Sequence, residues 1–299
     1  MKQSLTEKAN EGSLQLDELS PLEISRLMWT EDATIKDAIE PALPSISRAI
    51  ELVVERWEKG GRVFIAGAGT SGRIGVLDAL ELGPTFSVEK DRWIPIIAGG
   101  KGAMWEPLEQ TEDSGDAILS ELRRHMASAS DVIIGISASG STPFVLEALK
   151  FGSSIGAGTV SVSCNEGAAA SKMSTVAIEA ATGPEIIRGS TRLKAGTAQK
   201  MIINMISTGA MVKAGKVYGN EMVDMQLLNK KLVKRAHSMI AEIAGVPETE
   251  ARNLLENSGK DVKTAIFMGM TGADKEKAET YLHESNGRLK QALSRFFNK

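Results

Sequence analysis

Arg62-Val-Phe-Ile-Ala-Gly-Ala-Gly-Thr-Ser-Gly-Arg73 is an apolar run that empties into small and hydroxyl-bearing residues, and Asp131-Val-Ile-Ile-Gly-Ile-Ser-Ala-Ser-Gly-Ser-Thr142 repeats the pattern. A strand that ends in Gly, Ser and Thr where a helix begins offers backbone N–H groups, hydroxyl donors and the positive end of a helix dipole to one anion. Thr70, Ser71 and Gly72 in the first loop, and Ser137, Ser139, Ser141 and Thr142 in the second, are therefore candidate phosphate ligands. Gly and Ser also punctuate turns and cap helices without binding anything. Two such loops at two strand ends favour a phosphate over punctuation, and in one sheet they would hold a sugar phosphate.

Further strand-like runs at 93–98, 159–162 and 175–178 join those at 63–66 and 132–136, with helically spaced segments between them. This alternation predicts an α/β protein built on a doubly wound parallel sheet, with N-terminal helices and a small all-α C-terminal domain. Ligands of such sheets sit at the carboxyl ends of strands, where both loops fall. Leader helices are expected over 20–28 and 37–59, the second with Ile39, Leu43, Ile46, Ile50, Val53 and Val54 on one stripe, and a long helix over 196–213. The expected organisation is a helical leader over 1–60, the α/β domain over 61–220 and a helical domain over 221–299. That last part repeats with a period of 27 residues: Ala251, Leu255, Ser258, Val262, Lys263, Ala265 and Ile266 are answered by Ala278, Leu282, Ser285, Leu289, Lys290, Ala292 and Leu293. Two helical hairpins built alike are expected, each similar to the small ubiquitin-associated (UBA) fold, in a packing or dimer-stabilising role.

Composition narrows the function. The chain of 299 residues suffices for one large α/β domain and an appendage, and its 35 basic and 38 acidic side chains leave a net charge of -3, so no basic field invites nucleic acid or an acidic membrane surface. A single cysteine, Cys164, fits a reducing compartment, and the histidines His125, His237 and His283 show no metal-ligand spacing. The polar N-terminus and the short apolar stretches predict a cytoplasmic protein. Gly67 to Gly72 also fits the dinucleotide fingerprint G-x-G-x-x-G, but the next strand ends Ile96-Ile-Ala-Gly-Gly100 without the acidic residue that would hold a ribose, and no Gly-Lys-Ser/Thr supports a P-loop.

A third segment, Gly183-Pro-Glu-Ile-Ile-Arg-Gly-Ser-Thr-Arg-Leu-Lys-Ala-Gly-Thr-Ala-Gln-Lys200, gathers Ser190, Thr191, Arg192, Lys194, Thr197 and Lys200 just before and into a helix. Chemically it is a second anion or carboxylate contact, or a basic helix start that only caps and packs. The two loops resemble the sugar isomerase (SIS) domain, whose members hold phosphosugars on Ser/Thr-rich loops. The third segment resembles the signature shared by N-acetylmuramic acid 6-phosphate etherases and the glucokinase regulatory protein. Gly69-Thr-Ser-Gly-Arg-Ile-Gly-Val-Leu-Asp78, Thr6-Glu7 with Asn10, Leu16-Asp-Glu-Leu-Ser20 and the stretch 220–229 extend the likeness to the etherases over nearly the whole chain.

The resemblance implies a lyase that removes D-lactate from carbon 3 of N-acetylmuramic acid 6-phosphate in peptidoglycan recycling, with no metal or redox cofactor. A base removes the hydrogen at carbon 2 of the open-chain sugar, an acid protonates the departing ether oxygen, and water then adds to the double bond. Carried over motif by motif, the resemblance assigns Glu81 as the acid and Glu109 as the base, two carboxyls that must titrate apart. On the residues alone, Glu81 is equally a solvated position near a helix end, and Glu109, Glu112 and Asp113 a favourable first turn of the helix through Ile118, Leu119 and Leu122. The family pattern is departed from at Gly83, at Gln110-Thr111 and at Ser141, which stands where an arginine is usual, so phosphate affinity and phosphosugar preference are the properties touched.

Ser71 and Glu81 stand ten residues apart on one predicted helix, about 15 Å at about 1.5 Å per residue. One hexose 6-phosphate does not comfortably bridge that distance. The expected site is therefore composite, with Glu81 serving the loops of a second copy in a homodimer. An aldose–ketose isomerase and a non-catalytic phosphosugar sensor would use the same loops.

Overall fold

The computed structural model describes residues 4–298, apart from the side chain of Glu109. These residues form two compact units, one from residues 4–79 and 91–209 and the other from residues 80–90 and 210–298. The helices and strands run in the order α1 (Pro21–Ala33), α2 (Ile35–Ile39), α3 (Leu43–Glu58), β1 (Val63–Gly67), α4 (Gly69–Phe86), β2 (Trp93–Ile97), α5 (Gly115–Arg124), β3 (Val132–Ile136), α6 (Pro143–Ser154), β4 (Gly158–Ser163), β5 (Val176–Glu179) and α7 (Lys194–Lys213). The tail then adds α8 (Lys230–Ala244), α9 (Glu248–Asn257), α10 (Val262–Thr271), α11 (Lys275–Glu284) and α12 (Leu289–Phe297).

The first unit is built on a five-stranded sheet of order β2-β1-β3-β4-β5, parallel throughout. Every residue of β1, β3 and β4 is buried, as expected of strands covered on both faces. Phe64, Ala66, Ile94, Ile96 and Ile133 pack with Ile118 and Leu122 of α5 and Phe144 and Ala148 of α6. The chain reverses direction across the sheet between β1 and β3, and Gly67 stands opposite Ile136 in their register. The two small-residue loops thus leave the sheet side by side, at the crevice where open α/β sheets bind their ligands.

The leader departs from the expected pattern. The single helix over 37–59 is broken into α2, a 3-10 turn Glu40–Ala42 and α3, with Pro41 and Pro44 each in the first turn of the piece that follows it. Proline lacks the N–H a helix interior needs and is accepted in a first turn, so each one restarts the helix. The stripe shifts accordingly. Ile46, Ala49 and Val53 form its buried line, and Leu43 is exposed. The acidic run behaves similarly, because Glu109–Asp113 is a separate 3-10 turn, and Ser114, with φ -83° and ψ 80°, divides it from α5.

In the second unit the repeat is structural. Ala251, Leu255 and Val262 are buried, and so are their counterparts Ala278, Leu282 and Leu289. The matched lysines differ: Lys290 is exposed, whereas Lys263 is buried and its Nζ reaches Asp224 Oδ1 at 2.7 Å, Gly287 O at 2.7 Å and Gly215 O at 3.2 Å. A buried ammonium persists only with such partners.

The ends of β1 and β3 remote from the loops are clasped by one ion pair. Asp131 accepts the Arg62 backbone N–H at 2.8 Å and its guanidinium at 2.8 and 3.1 Å, and also the Ser128 N–H at 2.8 Å. Burial alone would raise the Asp131 carboxyl, but the Arg62 and Ser128 hydrogen bonds outweigh it and hold the group below the usual carboxylate range. A depressed folded pKa stabilises the fold above the unfolded value and ceases to do so as pH falls through the folded one. Asp131→Asn should therefore lower stability at neutral pH by about 2 kcal/mol. The gap to wild type, read from denaturation midpoints, should close below roughly pH 4; a gap that does not narrow in acid contradicts this role.

Candidate functional site

The first loop depends on a close backbone contact. A Cβ at Gly67 would stand 2.8 Å from Gly72 N, and one at Gly72 would stand 2.6 Å from Gly67 O. No side chain fits at either position, so the end of β1 and the first turn of α4 meet backbone to backbone and bring Thr70 and Ser71 to the switch point. Gly72 is part of this scaffold, and its N–H donates to Ala68 O at 3.0 Å.

In the second loop the hydroxyls organise one another. Ser137 Oγ lies 2.8 Å from Thr142 Oγ1 and 3.2 Å from Ser139 Oγ, and it accepts the Gly140 N–H at 3.0 Å. The exposed Ser141 donates its hydroxyl to Ser139 Oγ at 3.0 Å. The loop is braced from outside by Asn165, whose Nδ2 donates to Ala138 O at 2.9 Å and to Thr6 Oγ1 at 3.1 Å. Asn165 Oδ1 in turn accepts the Ser4 hydroxyl at 2.6 Å. This clasp fixes the 3-10 turn Leu5–Glu7 and sets Glu7 at the cleft.

The third segment is arranged around a buried carboxylate. Glu185 accepts the N–H groups of Lys194 and Ala195 at 3.0 and 2.9 Å, so an internal acid caps the start of α7. Burial pushes its pKa up against the pull of those backbone hydrogen bonds. Lys194 is buried and donates to Glu31 Oε2 at 2.6 Å. Burial opposes ionisation of Glu31, but the Lys194 and Asn10 hydrogen bonds and the lysine charge hold its carboxyl below the ordinary range.

The three segments enclose one cleft of about 490 Å³, a size suited to a small ligand. Of the residues singled out in the sequence, Thr70, Ser71, Ser137, Ser139, Thr142, Ser190, Thr191 and Arg192 line it. Gly72, Ser141 and Lys194 stand outside its lining, engaged as described. Glu81 belongs to the second unit and is exposed on α4, while Glu109 opens its 3-10 turn with a side chain outside the described residues. Three charged residues of the wall escaped the sequence reading: Glu7, Arg73 and Glu112. Glu112 is half-buried, and a Cβ at Gly69 would come within 3.1 Å of its Oε1, which places this carboxylate against the first loop. The signals were present, since Glu112 lies within the acidic run and Arg73 follows the loop directly. Among the described residues, no three His, Cys, Asp or Glu side chains group as a metal site.

Hydroxyls from two loops, guanidiniums from Arg73 and Arg192 and carboxylates from Glu7 and Glu112 line one cleft, and these are group types able to bind an anion and to carry a proton. Sheet order and loops together define a SIS-fold protein. The glucokinase regulatory protein N-terminal SIS domain matches residues 45–153, the SIS domain matches 116–208 and a UBA-like domain matches 267–299. The chain is 55% identical over 288 residues to N-acetylmuramic acid 6-phosphate etherase 2 of Bacillus licheniformis, covering 96% of this chain and 97% of that one. It is 44% identical to the etherase of Clostridium beijerinckii, covering 100% and 98%. A phosphoheptose isomerase from Neisseria gonorrhoeae overlays 64% of this chain and 99% of its own at a TM-score of 0.49 and 16% identity. The chain belongs to the N-acetylmuramic acid 6-phosphate etherase family.

Proposed function

We propose that this protein is a carbon–oxygen lyase that converts N-acetylmuramic acid 6-phosphate and water to N-acetylglucosamine 6-phosphate and D-lactate. The observation that carries the proposal is a carboxylate, Glu112, in the wall of a cleft lined by two hydroxyl-rich loops, in a chain of this family. The phosphate sits against Ser71, Ser137, Ser139 and Thr142, with Arg192 and Ser190 closing over the sugar. The aldehyde of the opened sugar acidifies the hydrogen at carbon 2. A carboxylate takes that proton, the C3–O bond breaks with its electron pair leaving on oxygen, and a carboxylic acid protonates the departing lactate. Water then adds to the C2=C3 bond, with hydroxyl to carbon 3 and hydrogen to carbon 2. Each well-placed carboxyl contributes roughly 10²–10⁴-fold.

Family likeness assigns these carboxyls to Glu81 and Glu109. Glu112, one turn beyond Glu109, lines the cleft and serves as the base on this reading. The reaction runs in the cytoplasm, which suits a chain whose one cysteine is buried and has its thiol pushed up to about 12 by burial. Incubated with N-acetylmuramic acid 6-phosphate, the purified protein should release D-lactate with solvent hydrogen at carbon 2, and the unphosphorylated sugar should not react. A ketose product points to an isomerase, and binding without turnover to a sensor. Glu112→Gln should lower kcat by about 10²-fold or more; if Glu109→Gln does so and Glu112→Gln does not, the base is Glu109.

The working unit on this reading is a homodimer with composite sites. Ser71 and Glu81 lie on the one helix α4, about 15 Å apart along its axis, so Glu81 serves the cleft of a second copy. Mixing Ser71→Ala with Glu81→Ala protein should restore part of the activity. Heterodimers demonstrated by mass without any recovery count against shared sites.

A further inference from the structure

Beneath the cleft, α4 and α7 meet along a polar seam of which the mechanism uses only Ser71. Ser71 Oγ donates to Gln199 Oε1 at 2.8 Å, and further along the seam Asp78 Oδ1 accepts Asn204 Nδ2 at 2.6 Å and the Ser207 hydroxyl at 2.9 Å. Gly196 keeps the helices close: a Cβ there would lie 3.3 Å from Thr70 Cγ2. Gln199 is only 1% exposed, and its Nε2 has no hydrogen-bond partner among the described residues. Most buried donors are satisfied, so an unpaired amide nitrogen directly under a binding-loop hydroxyl calls for a reason.

The polarity of the Ser71–Gln199 bond supplies one. A serine hydroxyl has one proton and two lone pairs. With that proton on Gln199 Oε1, Ser71 turns only lone pairs toward the cleft, which repel a phosphate oxyanion. Turning the amide by 180° about its last bond places Nε2 where Oε1 stands. The amide N–H then donates to Ser71 Oγ, and the serine proton is free for the anion. The carbonyl oxygen moves into the place of the unpaired nitrogen, and a buried carbonyl without a partner is tolerated better than a buried N–H.

We propose that Gln199 is a positioning residue for phosphosugar binding, whose side-chain amide turns over as the ligand arrives and so converts Ser71 from a donor toward the protein into a donor toward the phosphate. It touches no substrate. Its action passes through one hydroxyl, and because the phosphate does not react, its loss affects binding of substrate and transition state alike. The proposal rests on the etherase reading and deepens it.

Steady-state D-lactate release and Kd for N-acetylglucosamine 6-phosphate by calorimetry test it in wild type, Ser71→Ala, Gln199→Met and the double variant. Wild type that releases no D-lactate overturns the etherase reading itself. In an active protein, Gln199→Met should raise KM and Kd by about tenfold with a much smaller change in kcat. The double variant should bind no more weakly than Ser71→Ala. Effects of the two substitutions that simply multiply, or a loss confined to kcat, overturn the role. Gln199→Glu supplies a second readout, including when the methionine variant does not fold. Its carboxylate can only accept from Ser71, whereas its protonated form can donate, so the ratio of its KM to that of wild type should fall as pH is lowered. A ratio that stays at one throughout overturns the proposal.

Discussion

The contact between Gly67 and Gly72 is the constraint on which the rest depends. Two glycines let the end of a buried strand and the first turn of a helix touch through their backbones, with 2.6 Å between Gly67 O and the place a Gly72 Cβ would occupy. Since β1 and β3 are hydrogen-bonded neighbours, that contact also fixes Thr70 and Ser71 beside the Ser137–Thr142 loop. Hydroxyl groups from two chain segments therefore converge on one cleft. Within the second loop, Ser137, Ser139 and Thr142 hold one another by their hydroxyls.

The charges around the cleft are apportioned with similar economy. The start of α7, a natural anion site, is already occupied by the protein's own Glu185, and the ammonium of Lys194 is neutralised by Glu31. Arg73, which donates to Glu106 O at 3.1 Å, and Arg192 line the wall together with Glu7 and Glu112, opposite in sign. That leaves the hydroxyl loops, rather than the start of α7, as the place where the proposed function seats the phosphate. The same segment, Glu185 to Gln199, supplies the cap, the wall and the seam beneath Ser71.

Much of this was legible in the sequence because it is local. The five strands, the loops at their ends and the repeated hairpins follow from apolar runs, turn residues and spacing, and each lies within a residue or two of its expected place. What escaped was set by partners far along the chain or by single breakers. Thr6 is bonded to Asn165, 159 residues away, and nothing near residue 6 announces that pairing. Lys194 reads as a ligand until Glu31 is found beside it. Lys263 and Lys290 hold equivalent positions in the repeat, yet only Lys263 has Asp224 within reach, so only it is buried. Pro41 and Pro44 were visible, and their power to restart a helix outweighed the apolar stripe that ran through them.

The account stands or falls on where the phosphate goes. A crystal structure with N-acetylglucosamine 6-phosphate should place its phosphate oxygens about 3 Å from the hydroxyls of Ser71, Ser137 and Thr142, with the sugar extending toward Glu112. A phosphate seated anywhere else, with that cleft empty and Glu112 turned away from the sugar, would contradict it.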